Sequence, residues 1–244
     1  MSNIKQPSSL VKTIASSVIR SLKYVTHGIL PKSVTKRSRI GEFDTYSQSC
    51  QDVFVRLMLN NKNKGFYVEV GAYDEIDHSN SYILERDHEW SGFSLEIDEV
   101  AVKDFNSIRS NKCICCDATQ FDFLSYFEDN KCPIQIDYLS LDIEPANQTL
   151  SVLKQLPLDK YRFSVITYEH DRYVSGPKYM DESRKIFESF GYVRVVSNVL
   201  WEGRDFEDWY IDPNVVPSDV FKKYISENID PKVIFGKQGA HNGR

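Results

Sequence analysis

The sequence predicts an α/β fold: a Rossmann-like, doubly wound and mostly parallel sheet, closed by a C-terminal antiparallel hairpin and preceded by an amphipathic helix. Three observations carry this expectation. From about Glu42 to Ile211, short apolar strands alternate with segments of helical periodicity, the pattern of consecutive βαβ units. The stretch FYVEVGAYD (Phe66 to Asp74) alternates apolar residues at 66, 68 and 70. It then breaks at Gly71-Ala72, a turn that lets a ligand approach the backbone. The last two apolar runs are joined by a short glycine-containing loop that suits a hairpin.

Each element has its own signal. Val11, Ile14, Ala15, Val18, Leu22, Val25 and Ile29 recur at helical spacing, with Lys12, Arg20 and Lys23 between them and Pro31 at the end. This basic helix packs on the body or on a second copy of the chain, as in a homodimer. Alternatively, residues 8–30 lie on an anionic membrane surface or act as a targeting segment. We set it apart as residues 1–41, with the body at 42–244. In the body a helix is expected over 52–59 and a polar loop over 60–65. The strand 66–70 follows, then a helix near 79–88 with Ser79 as its cap. Strand 92–97 leads into a helix through Phe105 and Ile108. Strand 112–116 precedes a short helix at 121–127. Strand 136–143 precedes a helix at 149–156, and strand 163–168 a helix at 183–190 that Gly191 stops. Strands 192–200 and 206–211 form the hairpin.

Composition narrows the function. The 244 residues suffice for a core without staples. Residues 1–40 carry eight Lys/Arg and no acid, which leaves 22 basic against 35 acidic residues in the remainder. An acidic body argues against nucleic acid as its partner. The five cysteines are Cys50, Cys113, Cys115, Cys116 and Cys132, three of them within KCICC on a strand. Strand neighbours point to opposite faces, so buried free thiols in a reducing, cytoplasmic setting fit better than disulfides or a tetrahedral metal site. No apolar run approaches the ~18–20 residues of a membrane span.

Ligands of such sheets bind outside the carboxyl ends of the strands. All five parallel strands end in a carboxylate there: Glu69 (with Asp74 past the turn), Glu96, Asp117, Asp142 (with Glu144) and Glu169 (with His170 and Asp171). Crowded acids repel unless a cation or donors neutralise them. A ligand with ammonium and hydroxyl groups is therefore favoured. Glu96 is placed for both ribose hydroxyls, Asp117 for an adenine amino group, and the Ala118 N–H for the same base. Glu69 and the Gly71 backbone face the ligand's ammonium end. Asp142 with Glu169 is the pair suited to Mg²⁺, which takes a few carboxylates and keeps several waters. Asp142, Glu144 or His170 could remove a proton from a hydroxyl. Tyr173 and Trp201 stand in loop-like context and suit a sugar-like acceptor, whereas Glu207 and Asp208 read as parts of the closing strand.

At these motifs the chain resembles the FkbM-like S-adenosylmethionine (SAM)-dependent methyltransferases. The matching pieces are YSQSCQD (Tyr46 to Asp52), EVGAYD (Glu69 to Asp74), GFSLEID (Gly92 to Asp98), CDAT (Cys116 to Thr119) and LSLDIEPA (Leu139 to Ala146), in order over residues 42 to 212. The resemblance implies a seven-stranded methyltransferase fold and methyl transfer to a hydroxyl of a sugar, glycan or similar polyhydroxylated acceptor. It implies that Glu69, Gly71, Glu96 and Asp117 hold SAM and that Gln48 closes over it. Two departures stand out: Glu75 replaces a glycine common in the family, and Pro145 and Asn147 replace a Gly and a Glu. Related metal-dependent sugar O-methyltransferases imply a metal at Asp142 and Glu169, with Asp171 a better third ligand than His170. Two other readings remain: a methyltransferase fold kept only for binding a partner, and a nicotinamide-dependent oxidoreductase. The latter lacks its G-x-G-x-x-G turn.

Overall fold

The computed structural model of the chain describes residues 37–236. The basic helix expected over residues 8–30 lies outside the described residues. In chain order the strands of the main sheet are β3 (Phe66–Val70), β4 (Ser91–Glu96), β5 (Lys112–Cys115), β6 (Gln135–Leu141), β7 (Arg162–Glu169), β8 (Val193–Trp201), β9 (Arg204–Ile211) and β10 (Ser226–Glu227). A separate two-stranded hairpin, β1 (Ser38–Ile40) and β2 (Phe43–Thr45), precedes them. The main helices are α1 (Gln51–Met58), α2 (Tyr82–His88), α3 (Glu99–Ile108), α4 (Phe123–Asp129), α5 (Ala146–Gln155), α6 (Arg172–Ser175) and α7 (Pro177–Ser189). Two short C-terminal helices, α8 (Ser218–Phe221) and α9 (Pro231–Gly236), follow.

The sheet runs β10-β8-β9-β7-β6-β3-β4-β5. Every pairing is parallel except those of β9, which is inserted antiparallel between β7 and β8. This is the Rossmann-like, mostly parallel sheet that the sequence predicts, with the reversed hairpin in place. The two-residue β10 adds an eighth strand to the seven expected.

Strand alternation sorts the two faces. Tyr67, Tyr138, Val165 and Trp209 meet α1 and α2 through Val53, Phe54, Ile83 and Leu84 on one side. Val68, Leu139, Ile166 and Tyr168 meet α4, α5 and α7 through Phe127, Leu150 and Phe187 on the other. The order reverses between β3 and β6, so the crevice outside their carboxyl ends is the topological switch point where such sheets take ligands. Gly71 stands at that point with φ +93°, and a Cβ built on it would lie 1.7 Å from the Asp142 carbonyl oxygen. Only a residue without a side chain lets the two strand ends pass this closely.

All five cysteines are free. Cys50, Cys113 and Cys132 are buried as expected, but Cys115, at the end of the edge strand β5, is exposed. No helix among the described residues is long and apolar enough to cross a membrane.

Candidate active site

Glu96 closes β4, and its carboxylate is fixed by three backbone donors. Oε2 accepts the Tyr73 N–H at 2.9 Å, and Oε1 accepts those of Ile97 and Asp98 at 2.8 and 2.9 Å. A carboxylate has about four acceptor positions, so one remains for a ligand hydroxyl. The bond to Tyr73 ties the β4 end to the Gly71 turn, whose N–H donates to the Leu95 carbonyl at 2.9 Å. Ile97 beside it is an exposed apolar side chain.

The other acids divide by what holds them. Asp74 Oδ1 accepts the N–H groups of Ile76 and Asp77 and closes the turn after β3. Asp117 is exposed and spends Oδ1 on the Thr119 N–H and hydroxyl, capping the 3₁₀ turn that buries Ala118. Glu69 departs from the expectation that it meets a ligand's ammonium end. It is enclosed under α2, and Oε2 accepts the hydroxyls of Ser81 and Ser94, each at 2.8 Å. Burial raises its pKa, against the opposing field of Arg109. The cause is register: Glu69 shares a face with Tyr67, the face that α2 covers.

Asp142 and Glu169 are brought together at the ends of β6 and β7. Both are half-buried and share a hydrogen bond. Burial raises Asp142, and the bond from Glu169 opposes that rise. Glu169 is pushed well above the usual carboxylate range, by burial first and then by Asp142 and Asp171. Glu169 is thus the carboxyl of this cluster that most resists ionisation, and its side chain bonds both Asp142 and Asp171. The Mg²⁺ expectation for Asp142, Glu169 and Asp171 finds no support in this arrangement. Among the described residues no group of three or more His, Cys, Asp or Glu could hold a metal.

His170 is corrected as a proton acceptor. It lies one residue past the end of β7. Its ring is fully buried, with Nδ1 accepting the Arg172 N–H at 3.2 Å and Nε2 turned towards Asp208 Oδ1 at 3.5 Å. Burial would raise Asp208, but His170 and Arg184 together hold it well below the carboxylate range. Glu144 is exposed beyond Asp142. Tyr173 is 43% exposed, lies under the Arg204 guanidinium at 5.6 Å, and feels Asp171, Glu169 and Glu144. Trp201 is half-buried against the core cluster, as a packing residue. Gln48 is half-buried in the loop that a bridge between Ser47 and His78 ties to the turn after β3.

Glu207 is the residue that the sequence reading left in the closing strand. On β9 it lies opposite Glu169 and is 2% exposed. Oε2 accepts Gln51 Nε2–H at 3.0 Å and Trp209 Nε1–H at 2.7 Å. Burial pushes its pKa up to about 8, with Asp142 adding to the rise. Its folded value lies above its ordinary one, so its contribution to stability is complete below the usual glutamate range and is lost as pH rises through about 8. Glu207→Gln keeps an acceptor for Gln51 and Trp209 and removes the ionisation. The variant should outlast wild type in urea at about pH 8.5, by roughly 3 kcal/mol, and the gap should close towards about pH 5. A gap that widens on acidification contradicts this assignment.

Gln51 comes from the YSQSCQD motif, whose Asp52 organises the loop. Asp52 is buried and accepts the hydroxyls of Thr45 and Ser47 at 2.6 and 2.7 Å and the Tyr46 N–H at 3.1 Å. Asn80 also escaped the sequence reading. Nδ2 donates to Ser140 Oγ at 3.0 Å, while the buried Oδ1 has no partner.

No family model matches the chain, so its expected FkbM-like membership is not shown, and no curated protein matches it. Solved structures do. An O-methyltransferase from Bacillus cereus in complex with SAH is similar at 15% identity and a TM-score of 0.49, over 85% of this chain and 93% of that one. An rRNA methylase from Streptococcus thermophilus is similar at 10% identity and a TM-score of 0.44, over 66% and 93%. The N-methyltransferase NodS from Bradyrhizobium japonicum is similar at 11% identity and a TM-score of 0.42, over 67% and 94%. Likenesses this distant assign this chain neither an activity nor a substrate.

Proposed function

We propose that the protein is a SAM-dependent O-methyltransferase of FkbM-like type, acting on a hydroxyl of a sugar, glycan or similar polyhydroxylated acceptor. The observation that carries this reading is Glu96, held by three backbone N–H groups across the Gly71 turn beside the switch point. It is a rigid carboxylate with one acceptor position left where a ribose diol would sit. Exposed Ile97 offers an apolar wall to the adenine, and Asp117 with Ala118 its polar edge. The Gly71 turn leaves room for the aminocarboxypropyl group, with Asp74 setting the turn's shape. The acceptor would lie over Asp142, Glu144, Glu169 and Tyr173, with Gln48 and its loop above the donor.

SAM supplies an activated methyl group. The chain's residues orient the acceptor oxygen in line with it and receive the hydroxyl proton, for which Asp142 is placed. Bound SAM would pass its methyl group to that oxygen, its sulfur keeping the electron pair of the broken bond. Calorimetry tests the cofactor claim directly. Wild-type protein should bind SAM, and Glu96→Ala should bind at least about tenfold more weakly, since hydrogen bonds to a charged group are lost. No binding by wild type, or equal binding by the variant, contradicts the reading.

A further inference from the structure

We infer that the acceptor carries an ammonium group, an amino sugar or comparable amino alcohol, anchored by Asp171 beside the Asp142–Glu169 pair. The inference rests on the methyl-transfer reading above and names its substrate class. Its first basis is unbalanced charge. The groups acting on Asp142 are Glu169, Asp171 and Glu96, and those acting on Glu169 are Asp142 and Asp171, all acids. None of Asp142, Glu169 and Asp171 enters an ion pair among the described residues. Arg204 lies over the Tyr173 ring rather than on a carboxylate, and Arg172, next to Asp171 in the chain, pairs with Asp205.

The second basis is independent of charge. Asp171 is 7% exposed; its side chain bonds Glu169, and its buried Oδ1 is left without a hydrogen-bond partner. A buried acceptor left unpaired costs about 1–3 kcal/mol, more when charged. Its backbone is pinned, with the N–H donating to the Phe206 carbonyl at 3.0 Å and the carbonyl accepting the Ser175 hydroxyl at 2.9 Å. The side chain is thus held where a ligand donor would satisfy it. Asn80 Oδ1, also buried and unpaired, lies beside Ser140 of β6. Both orphans are acceptors, and both call for a donor. A neutral sugar hydroxyl offers one donor and no charge, whereas an ammonium offers three donors and the missing positive charge. Tyr173, exposed at the rim, adds an aromatic face that a cation or a sugar ring can cover.

The test uses two trisaccharides that differ at one group per ring: the β1,4-linked trimers of glucosamine and of glucose. Each is titrated by calorimetry into the full chain saturated with SAH. The glucosamine trimer should bind at least about tenfold more tightly than the glucose trimer, with the advantage shrinking at high salt. Asp171→Asn keeps the left-handed backbone conformation that Asp171 adopts (φ 47°) and should erase that preference while leaving SAH affinity unchanged. Asp142→Asn provides a second variant if Asp171→Asn folds poorly: it removes the neighbouring charge and should reduce the preference. Equal binding of the two trimers, or binding of neither by a protein that holds SAH, overturns the ammonium assignment and leaves the methyl-transfer reading standing. A loss of SAH affinity in Asp171→Asn also overturns it, by assigning the acidic wall to the cofactor. Failure of wild type to bind SAM or SAH removes the methyl-transfer reading itself, and the inference with it.

Discussion

Gly71→Ala should yield little or no folded protein. The new Cβ would lie 1.7 Å from the Asp142 carbonyl oxygen and 2.8 Å from its carbon, and both are backbone atoms that no rotamer change can move. Relief requires parting β3 from β6 at the sheet's centre, where the Asp142 N–H donates to the Val70 carbonyl at 2.9 Å. The φ of +93° adds strain of its own. The combined cost should exceed about 4 kcal/mol, in the range reserved for specific structural failures. Gly191→Ala is the matched control. That glycine also has positive φ, +79°, but a Cβ there meets nothing within 4 Å. It should lose only about 1 kcal/mol. Soluble yield and thermal unfolding of the two variants decide the matter. A Gly71→Ala protein melting within a few degrees of wild type would show that the strand ends are not in contact as described.

The second large effect is expected from Arg109→Met. Arg109 is buried and is the hub of a polar cluster on the face that also holds Glu69. It donates to Glu85 Oε2 at 2.8 Å, the Glu75 carbonyl at 3.0 Å, the hydroxyls of Ser79 and Ser81 at 3.2 and 3.0 Å, and Tyr67 Oη at 3.2 Å. Its guanidinium also lies over the Phe105 ring at 4.5 Å. Methionine fills the space but strands Glu85 and Glu69 without their cation. Breaking a buried pair in this way costs about 3–5 kcal/mol, or roughly 10 °C in a chain of this size. The loss should depend on pH. Glu69 already has a raised pKa through burial, and Arg109 is what opposes the rise. Protonating Glu69 removes the stranded charge, so the deficit should be smaller at about pH 5 than at about pH 8. A deficit independent of pH would mean that packing against Phe105, not charge, is what Arg109 supplies.

How much of this was legible in the sequence depends on which physical signal each feature carries. Strands β3, β4, β6 and β7 fall within about two residues of their expected bounds, since alternation and the Gly and Pro breaks mark them locally. Helix α7 begins at Pro177, well before the expected 183, because its first turns are polar and show no apolar period. The three-residue strands of the β1–β2 hairpin and the elements after Ile211 are too short to carry a period at all. In the site, Glu96, Asp142 and Glu169 were legible because strand ends can be counted. His170 was less legible, because it lies one residue past the end of β7 and its enclosure against Asp208 is set by packing. The burial of Glu69 under α2 was not visible, because which face a helix covers is a tertiary fact. Glu207 was hidden for the same reason: nothing local says that β9 slips between β7 and β8 and lays this acid beside Glu169.

That insertion also sets a timetable. Synthesis delivers β8 before β9, yet β8 reaches the sheet only through β9. Until β9 emerges, β8 must wait outside a gap one strand wide, about 5 Å. The hydrogen bond from Gln51 to Glu207 spans 156 positions of sequence, so the wall of the crevice joins the first turn of an early helix to one of the last strands. A nascent chain stopped short of β9 can pair its parallel strands, but it offers a ligand an open, unpaired edge at β7 where the crevice should be. Competence to bind should therefore arrive late and all at once, with the closing of the sheet rather than with the making of its first turn.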